Sequence, residues 1–167
     1  MLRGKVMNIY LIRHGDSEGI SKGMKDSERK LTPEGEQKIR NASIFWKNII
    51  PEFDYIISSP YIRAVQTAKI IAATFNHKKE VLTDKRLGSG SEIESLIEFL
   101  NSFQSGDIAM VGHQPDLSNH LSRLISGSGA SIEFKKGAIA KISFNNKVRE
   151  GKGVLEFLVP PGIFTPK

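Results

Sequence analysis

The chain alternates short unbroken apolar runs with longer stretches in which apolar residues recur at helical spacing. Residues 8–12 are apolar after one polar entry, the pattern of a strand buried on both faces, and the run stops at Arg13-His14-Gly15. Residues 19–30 carry Gly, Ser, Lys, Asp and Glu with almost no apolar side chain, so a mobile surface loop is expected there. Thr32-Pro33 then reads as an N-cap and a first-turn proline, with Ile39, Ala42, Phe45 or Trp46, and Ile49 as the buried stripe of a helix.

The unit repeats. Residues 55–57 form a short strand leading to Ser58-Ser59-Pro60, where serine caps a helix and proline occupies its first turn, with Val65, Ala68, Ile71 or Ala72, and Phe75 buried. Val81 and Leu82 suggest a third short strand, residues 87–91 a Gly/Ser turn, and Ile93, Leu96, Ile97, Leu100 and Phe103 a helix face. Residues 108–111 read as a strand ending at Gly112-His113-Gln114-Pro115, followed by a helix striped by Leu117, Leu121, Leu124 and Ile125. The pattern then changes to two strands, 138–144 and 154–159, around a polar turn at 145–151, and to a weakly ordered tail over 160–167.

Strand and helix alternating from Met7 to Ile125 argue for an α/β fold. It is a three-layer α/β/α arrangement with a mostly parallel central sheet, helices on both faces and a mixed C-terminal edge. At 167 residues the chain reads as one domain over 1–167, its core at about 7–159. In such sheets the ligand lies outside the C-terminal ends of the strands, near the point where strand order reverses. Three expected strand ends carry polar signatures: Arg13-His14-Gly15, Ser58-Ser59-Pro60 with Arg63 one turn on, and Gly112-His113.

Composition narrows the chemistry. Lys plus Arg is 24 against 18 Asp plus Glu, a net charge of +6, which favours an anionic partner: nucleic acid, an acidic membrane face, a phosphorylated substrate or an acidic protein. The basic residues are dispersed without the aromatic and basic signature of a nucleic-acid module, so Lys22, Lys25, Lys30, Lys135 and Lys136 read as solvated surface and no nucleic-acid partner is expected. The absence of cysteine removes thiolate metal sites and cysteine nucleophiles, and no His-rich spacing suggests zinc, so neither metal nor cofactor is expected. The opening apolar run is too short for a membrane span and lacks a cleavage site, so the reading is a cytoplasmic chain without a membrane partner, with Met7 a candidate start. The sequence assigns no oligomeric state.

His14 follows a buried strand and precedes a glycine, a place where backbone can approach a ligand closely. Neutral imidazole is nucleophilic near neutral pH, so His14 either attacks phosphorus or hydrogen-bonds its loop. Arg13 and Arg63 offer forked, permanently charged donors that match phosphoryl oxygens. Arg63 falls in a first helical turn, where a cation opposes the helix dipole; a bound anion resolves that conflict, and an exposed arginine is the alternative. His113 is placed to donate to the same oxygens or to be satisfied by backbone. His77 reads as a surface turn residue and His120 as a packing residue.

Leu11-Ile12-Arg13-His14-Gly15-Asp16-Ser17 resembles the Arg-His-Gly signature of the histidine phosphatase superfamily, which includes the phosphoglycerate mutases. Ser58-Ser59-Pro60 through Arg63, Ala64, Gln66, Thr67 and Ala68 resembles its second block, and Val111-Gly112-His113-Gln114-Pro115 its third. The short chain and the Arg-Lys-Leu-Thr-Pro-Glu-Gly segment at 29–35 are most similar to the SixA-type phosphohistidine phosphatases, the resemblance running from Met7 to about Phe144. It implies that His14 is transiently phosphorylated, that Arg13, Arg63 and His113 hold the phosphoryl oxygens, and that water hydrolyses the phosphoenzyme without metal.

One departure bears on substrate. Many members carry an acidic proton donor after an Arg-Leu pair, whereas Lys85-Arg86-Leu87 continues here as Gly88-Ser89-Gly90, and Glu92 and Glu94 are simpler as helix-start residues. No proton donor is assigned. An alkoxide leaving group needs one, a contribution of ~10²–10⁴-fold, while an imidazole nitrogen is protonated readily from solvent. The expected function is therefore hydrolysis of phosphohistidine on a signalling or phosphotransfer protein. The alternatives are a phosphomonoesterase or mutase acting on a small metabolite, and a phosphate-binding or protein-interaction module without turnover.

Overall fold

The computed structural model describes residues 6–164. The segment before the candidate start at Met7, save Val6, and the last three residues of the expected tail lie outside the described residues. The elements are β1 (Val6–Arg13), α1 (Pro33–Trp46), β2 (Tyr55–Ser58), α2 (Ile62–Thr74), β3 (Leu82–Thr83), α3 (Ile93–Leu100), β4 (Gly106–Gly112), α4 (Asp116–Ile125), β5 (Ile139–Asn145) and β6 (Val154–Val159). They build a six-stranded sheet in the order β3-β2-β4-β1-β5-β6. The first four strands of that order are parallel, and β5 and β6 add antiparallel pairings at one edge.

Alternation along the strands assigns the two cores. In β1, Tyr10 and Ile12 face α1 and α2, packing with Ile39, Trp46, Ala68 and Ile71, while Ile9 and Leu11 face the opposite layer with Leu96, Leu100, Leu117 and Leu121. The same alternation in β4 sends Ala109 and Val111 one way and Ile108 and Met110 the other. Because β4 inserts between β2 and β1, the C-terminal ends of three strands from distant parts of the sequence lie side by side. Arg13 pairs in register with Gly112, and Ser58 with Val111. That crevice is where an open α/β sheet binds its ligand.

Thr32 caps α1 as its sequence suggests, its hydroxyl accepting from Gly35 N at 3.0 Å with Pro33 in the first turn. The buried stripe differs at its end: Trp46 and Ile50 are buried while Phe45 and Ile49 are exposed, because the helix stops at Trp46 and the turn after it redirects the chain. In α2 the cap is Tyr61 and the helix starts at Ile62, so Pro60 lies outside it. Ser59 does not cap, since its hydroxyl is engaged elsewhere. The buried face of α2 is Ala64, Thr67, Ala68 and Ile71, with Val65 only half-buried. Pro161–Phe164 of the expected weak tail instead forms a 3-10 turn against α1.

The expected mobile loop at 19–30 is tied down at both ends and in the middle. Ser17 bridges Leu31, Glu18 N donates to Lys30 O at 3.0 Å, and Leu31 N donates to Gln66 Oε1 at 2.8 Å. Arg29 reaches back to Glu18 O, the Ser17 hydroxyl and the Asp26 carboxylate. Polarity alone made this stretch look free, whereas its polar side chains satisfy one another.

Gly35 explains how the start of α1 is seated. A Cβ there would collide with the Asp16 carbonyl, whose oxygen accepts from Thr32 N at 3.0 Å. Gly35→Ala must push the first turn of α1 away from the loop that follows β1, and urea titration should show about 1–3 kcal/mol of lost stability.

Candidate active site

His14 sits just past β1, only 6% exposed. Its Nδ1 lies 2.7 Å from Gly15 O, which only accepts, so Nδ1 carries the proton. Nε2 therefore presents its lone pair, and Arg63 Nε donates to it at 3.1 Å. Gly15 N in turn donates to the Thr67 hydroxyl, which donates to Arg63 O at 2.8 Å, so α2 locks the histidine turn. A Cβ on Gly15 would come within 2.9 Å of Ile39, which is why glycine follows the histidine.

Arg63 lies in the first turn of α2 and is buried. The conflict between its charge and the helix dipole is relieved by Asp26, from the 19–30 loop. Arg63 Nη2 donates to Asp26 Oδ2 at 2.8 Å and Nη1 to Asp26 O at 2.5 Å. The Tyr61 ring lies 5.1 Å from the guanidinium carbon and 4.7 Å from the His113 ring, filling the space between them. Arg13 Nη1 donates to Phe134 O at 2.8 Å, while Arg13 Nε is buried with no hydrogen-bond partner among the described residues.

His113, at the end of β4, has its ring 5.1 Å from that of His14. Its Nε2 is 2.7 Å from the Ser59 hydroxyl, which also accepts from Tyr61 N at 3.3 Å. With the serine proton directed to Nε2, the ring proton sits on Nδ1, a buried donor without a partner among the described residues. Removing the hydroxyl frees the ring to take the other tautomer. Ser59→Ala should lower kcat/KM by roughly 10-fold in steady-state assays, the scale of one hydrogen bond.

The electrostatics favour an anion and keep the imidazoles neutral. Burial, reinforced by the charges of Arg63, Arg13 and Lys136, pushes His14 down to about 4 against the opposing bond to Gly15 O. Burial, with the charges of His14 and Arg63, pushes His113 down to about 3. Burial also lowers Arg13, opposed only by Asp16. NMR titration of the imidazole carbons should find no protonation of His14 between pH 7 and 5; a midpoint near the ordinary ~6.5 would contradict this placement.

The neighbouring carboxylates are held ionised. The hydrogen bond from Arg63, then that from Arg29, lowers Asp26; the hydrogen bond from Lys38 lowers Asp16, which Lys136 also approaches at 3.4 Å. Glu94 pairs with Arg123 at 2.6 Å, and Glu92 is an exposed N-cap position whose side chain makes no cap hydrogen bond. His120 is buried against Ser91, at 2.8 Å, and His77 lies in the turn after α2. No group of three or more His, Asp or Glu side chains among the described residues is arranged to hold a metal ion. No helix among them is long and apolar enough to cross a membrane.

His14, Arg63 and His113 thus come together from three strand ends, with Arg13 close enough for its charge to bear on both histidines. Sequence reasoning passed over Asp26, Tyr61 and the part played by Ser59. Ser59 lay in a recognised block, but Asp26 is one acid in a polar loop and carried no signal.

Fold and site together define an α/β protein whose strand-end crevice gathers two histidines and two arginines around a place suited to an anion. A family model described as histidine phosphatase superfamily (branch 1) matches residues 9–89. The phosphohistidine phosphatase SixA of Escherichia coli strain K12 is 23% identical over 158 residues, covering 93% of this chain and 94% of that protein. A 2,3-bisphosphoglycerate-dependent phosphoglycerate mutase of Thermoplasma acidophilum is 38% identical over 105 residues, 59% of this chain and 50% of the mutase. Among solved structures, the protein histidine phosphatase SixA complexed with tungstate superposes with a TM-score of 0.85 at 21% identity, covering 95% of this chain and all of that one. The family model spans just under half of the chain, and together with the likeness to SixA it supports phosphatase activity for this protein.

Proposed function

We propose that the protein hydrolyses phosphohistidine on a signalling or phosphotransfer protein. The observation that carries this is a poised nucleophile without a protonated acid: the His14 Nε2 lone pair is presented, while Asp16 and Asp26 are fixed as carboxylates by Lys38 and Arg63. A leaving alkoxide would lack its proton donor. A leaving imidazole does not need one of comparable strength.

In the first step His14 Nε2 gives up the hydrogen bond it accepts from Arg63 Nε and attacks phosphorus as the P–N bond to the substrate histidine breaks. The departing nitrogen keeps the electron pair and takes a proton from solvent. Positive charge developing on the His14 ring is delocalised toward Nδ1–H and met by Gly15 O at 2.7 Å. The freed Arg63 Nε and Arg13 offset the charge on the equatorial oxygens and the neutral His113 donates to them through Nδ1–H, a contribution that grows as charge spreads over them. Water then attacks the phosphorylated His14, releasing inorganic phosphate and restoring the imidazole.

The layout supports a macromolecular substrate. Three residues link β2 to α2 and three link β4 to α4, so the longer segments beside the site are the 14–32 connection and the 126–138 connection, whose Phe134 O meets Arg13. Next to them, a cleft of about 310 Å³ is lined by Lys38, Lys135, Lys136 and the exposed Ile163, with Asp16 pairing with Lys38 and Lys136, so three lysines against one carboxylate leave a net positive surface suited to an acidic protein. This gives Lys135 and Lys136 a setting beyond solvated surface. SixA of Escherichia coli, similar along nearly the full length, carries the same activity in its name.

The 38% identity to a mutase over 105 residues favours a second reading, a phosphomonoester metabolite as substrate. Parallel assays separate them. Phosphohistidine on a phosphotransfer protein should be hydrolysed with far higher kcat/KM than p-nitrophenyl phosphate or any member of a sugar-phosphate panel. One sugar phosphate turned over faster than the phosphoprotein would select the mutase-like reading.

A further inference from the structure

We infer that Asp26 is a positioning residue for catalysis, acting through Arg63 to aim the guanidinium edge at the nucleophile. The inference rests on His14 and Arg63 forming the phosphoryl site, but not on which phosphorylated substrate is natural.

A guanidinium carries five N–H donors in a planar fork. Here the end formed by Nη1 and Nη2 is taken by Asp26, through its backbone oxygen and Oδ2. Nε points the other way, onto His14 Nε2 at 3.1 Å. A phosphoryl group arriving at Nε2 therefore meets the Nε side of a fork whose far end is already held. Asp26 and the nucleophile together take three of the five N–H donors, one on each nitrogen, which leaves the second N–H of Nη1 and of Nη2, and Nε once His14 attacks, for the phosphoryl oxygens.

Asp26 is itself braced. Arg29 donates to its other oxygen, Oδ1, at 2.9 Å, and Arg29 is anchored to Glu18 O and the Ser17 hydroxyl, directly after the His14 turn. The chain from Ser17 through Arg29 and Asp26 to Arg63 joins the segment after β1 to the first turn of α2. Both ends of that brace carry the reacting groups, so it sets the angle between nucleophile and guanidinium. Held in an ion pair with two arginines, Asp26 also cannot deliver a proton, which separates its role from that of the acid other superfamily members carry.

The test is a double-mutant cycle with p-nitrophenyl phosphate as substrate and orthovanadate as the transition-state mimic, both independent of the natural substrate. Asp26→Ala should lower kcat and kcat/KM together by roughly 10²-fold, as expected for a catalytic group displaced by about an ångström, and weaken vanadate binding in calorimetry by a similar factor. Asp26→Asn, which keeps the volume and one acceptor oxygen, should fall between. In an Arg63→Ala background, Asp26→Ala should cost almost nothing further. A full, additive loss in that background would overturn the inference, since Asp26 would then act independently of Arg63. Tighter vanadate binding or faster turnover in Asp26→Ala would also overturn it, making the carboxylate a competitor for the phosphate site. Failure of the phosphoprotein assay with this cycle intact would reject only the substrate reading.

Discussion

His14→Ala is expected to remove turnover, lowering kcat/KM on the order of 10⁴–10⁶-fold, the range seen when a covalent nucleophile is deleted. No neighbour replaces it. Among the described residues His113 is the only other imidazole within ring contact, and its Nε2 is committed to Ser59 at 2.7 Å. The same substitution has a second, opposite signature in stability. His14 is held down to about 4 by burial, whereas the unfolded chain protonates it near ~6.5, so the unfolded state binds more protons between those values. The stability contributed by keeping His14 neutral is complete above ~6.5 and is lost as pH falls toward 4. Urea titrations at pH 7 and pH 5 should therefore show a smaller acid loss in His14→Ala than in the parent. An inactive variant with the parent's full acid sensitivity would mean that His14 is not the buried, neutral group described here.

Arg63→Ala is the second large effect, a fall in kcat/KM of roughly 10²–10³-fold, comparable to removing one preorganised donor from a developing oxyanion. Arg63 is the point where three features meet: the donor to His14 Nε2, the fork held by Asp26, and the helix start at Ile62. Its loss also takes away the main cause of Asp26's lowered pKa, the hydrogen bond from Arg63, and one of the charges depressing His14. Both groups should therefore titrate higher in the variant, which carbon-detected NMR can follow. Arg63→Lys keeps a charge but not the fork, since a single ammonium cannot reach His14 Nε2 and both Asp26 oxygens in one plane. It should recover only part of the lost activity and leave the 19–30 loop less protected in hydrogen exchange.

The parallel core was readable because strands buried on both faces leave unbroken apolar runs: Tyr10 and Ile12 feed one layer, Ile9 and Leu11 the other. The strand-end histidines were readable for a related reason, since a polar group directly after such a run must lie at the rim. Local polar bookkeeping was not legible. Ser58-Ser59-Pro60 has the composition of a helix cap, yet Ser59 serves His113 and the helix waits until Ile62, because a buried imidazole demands a partner more strongly than a helix end near solvent. The 19–30 loop failed differently. Its composition matches a free surface loop, and only the three-dimensional meeting of Arg63, Asp26 and Arg29 turns it into a brace. Arg63 gave a partial warning: a cation in a first helical turn required an anion, and the chain supplies one from a loop ending more than thirty residues upstream.

The central claim is that phosphate passes through a covalent bond to His14, and trapping that intermediate tests it most directly. The protein is mixed with a ³²P-labelled phosphohistidine protein or with labelled p-nitrophenyl phosphate, quenched in alkali within milliseconds, and the labelled site located by peptide mass spectrometry. The account predicts transient, alkali-stable and acid-labile label on His14, absent from His14→Ala and prolonged in Arg63→Lys. Normal turnover with no label on His14 at any quench time, or label at His113 instead, would contradict it.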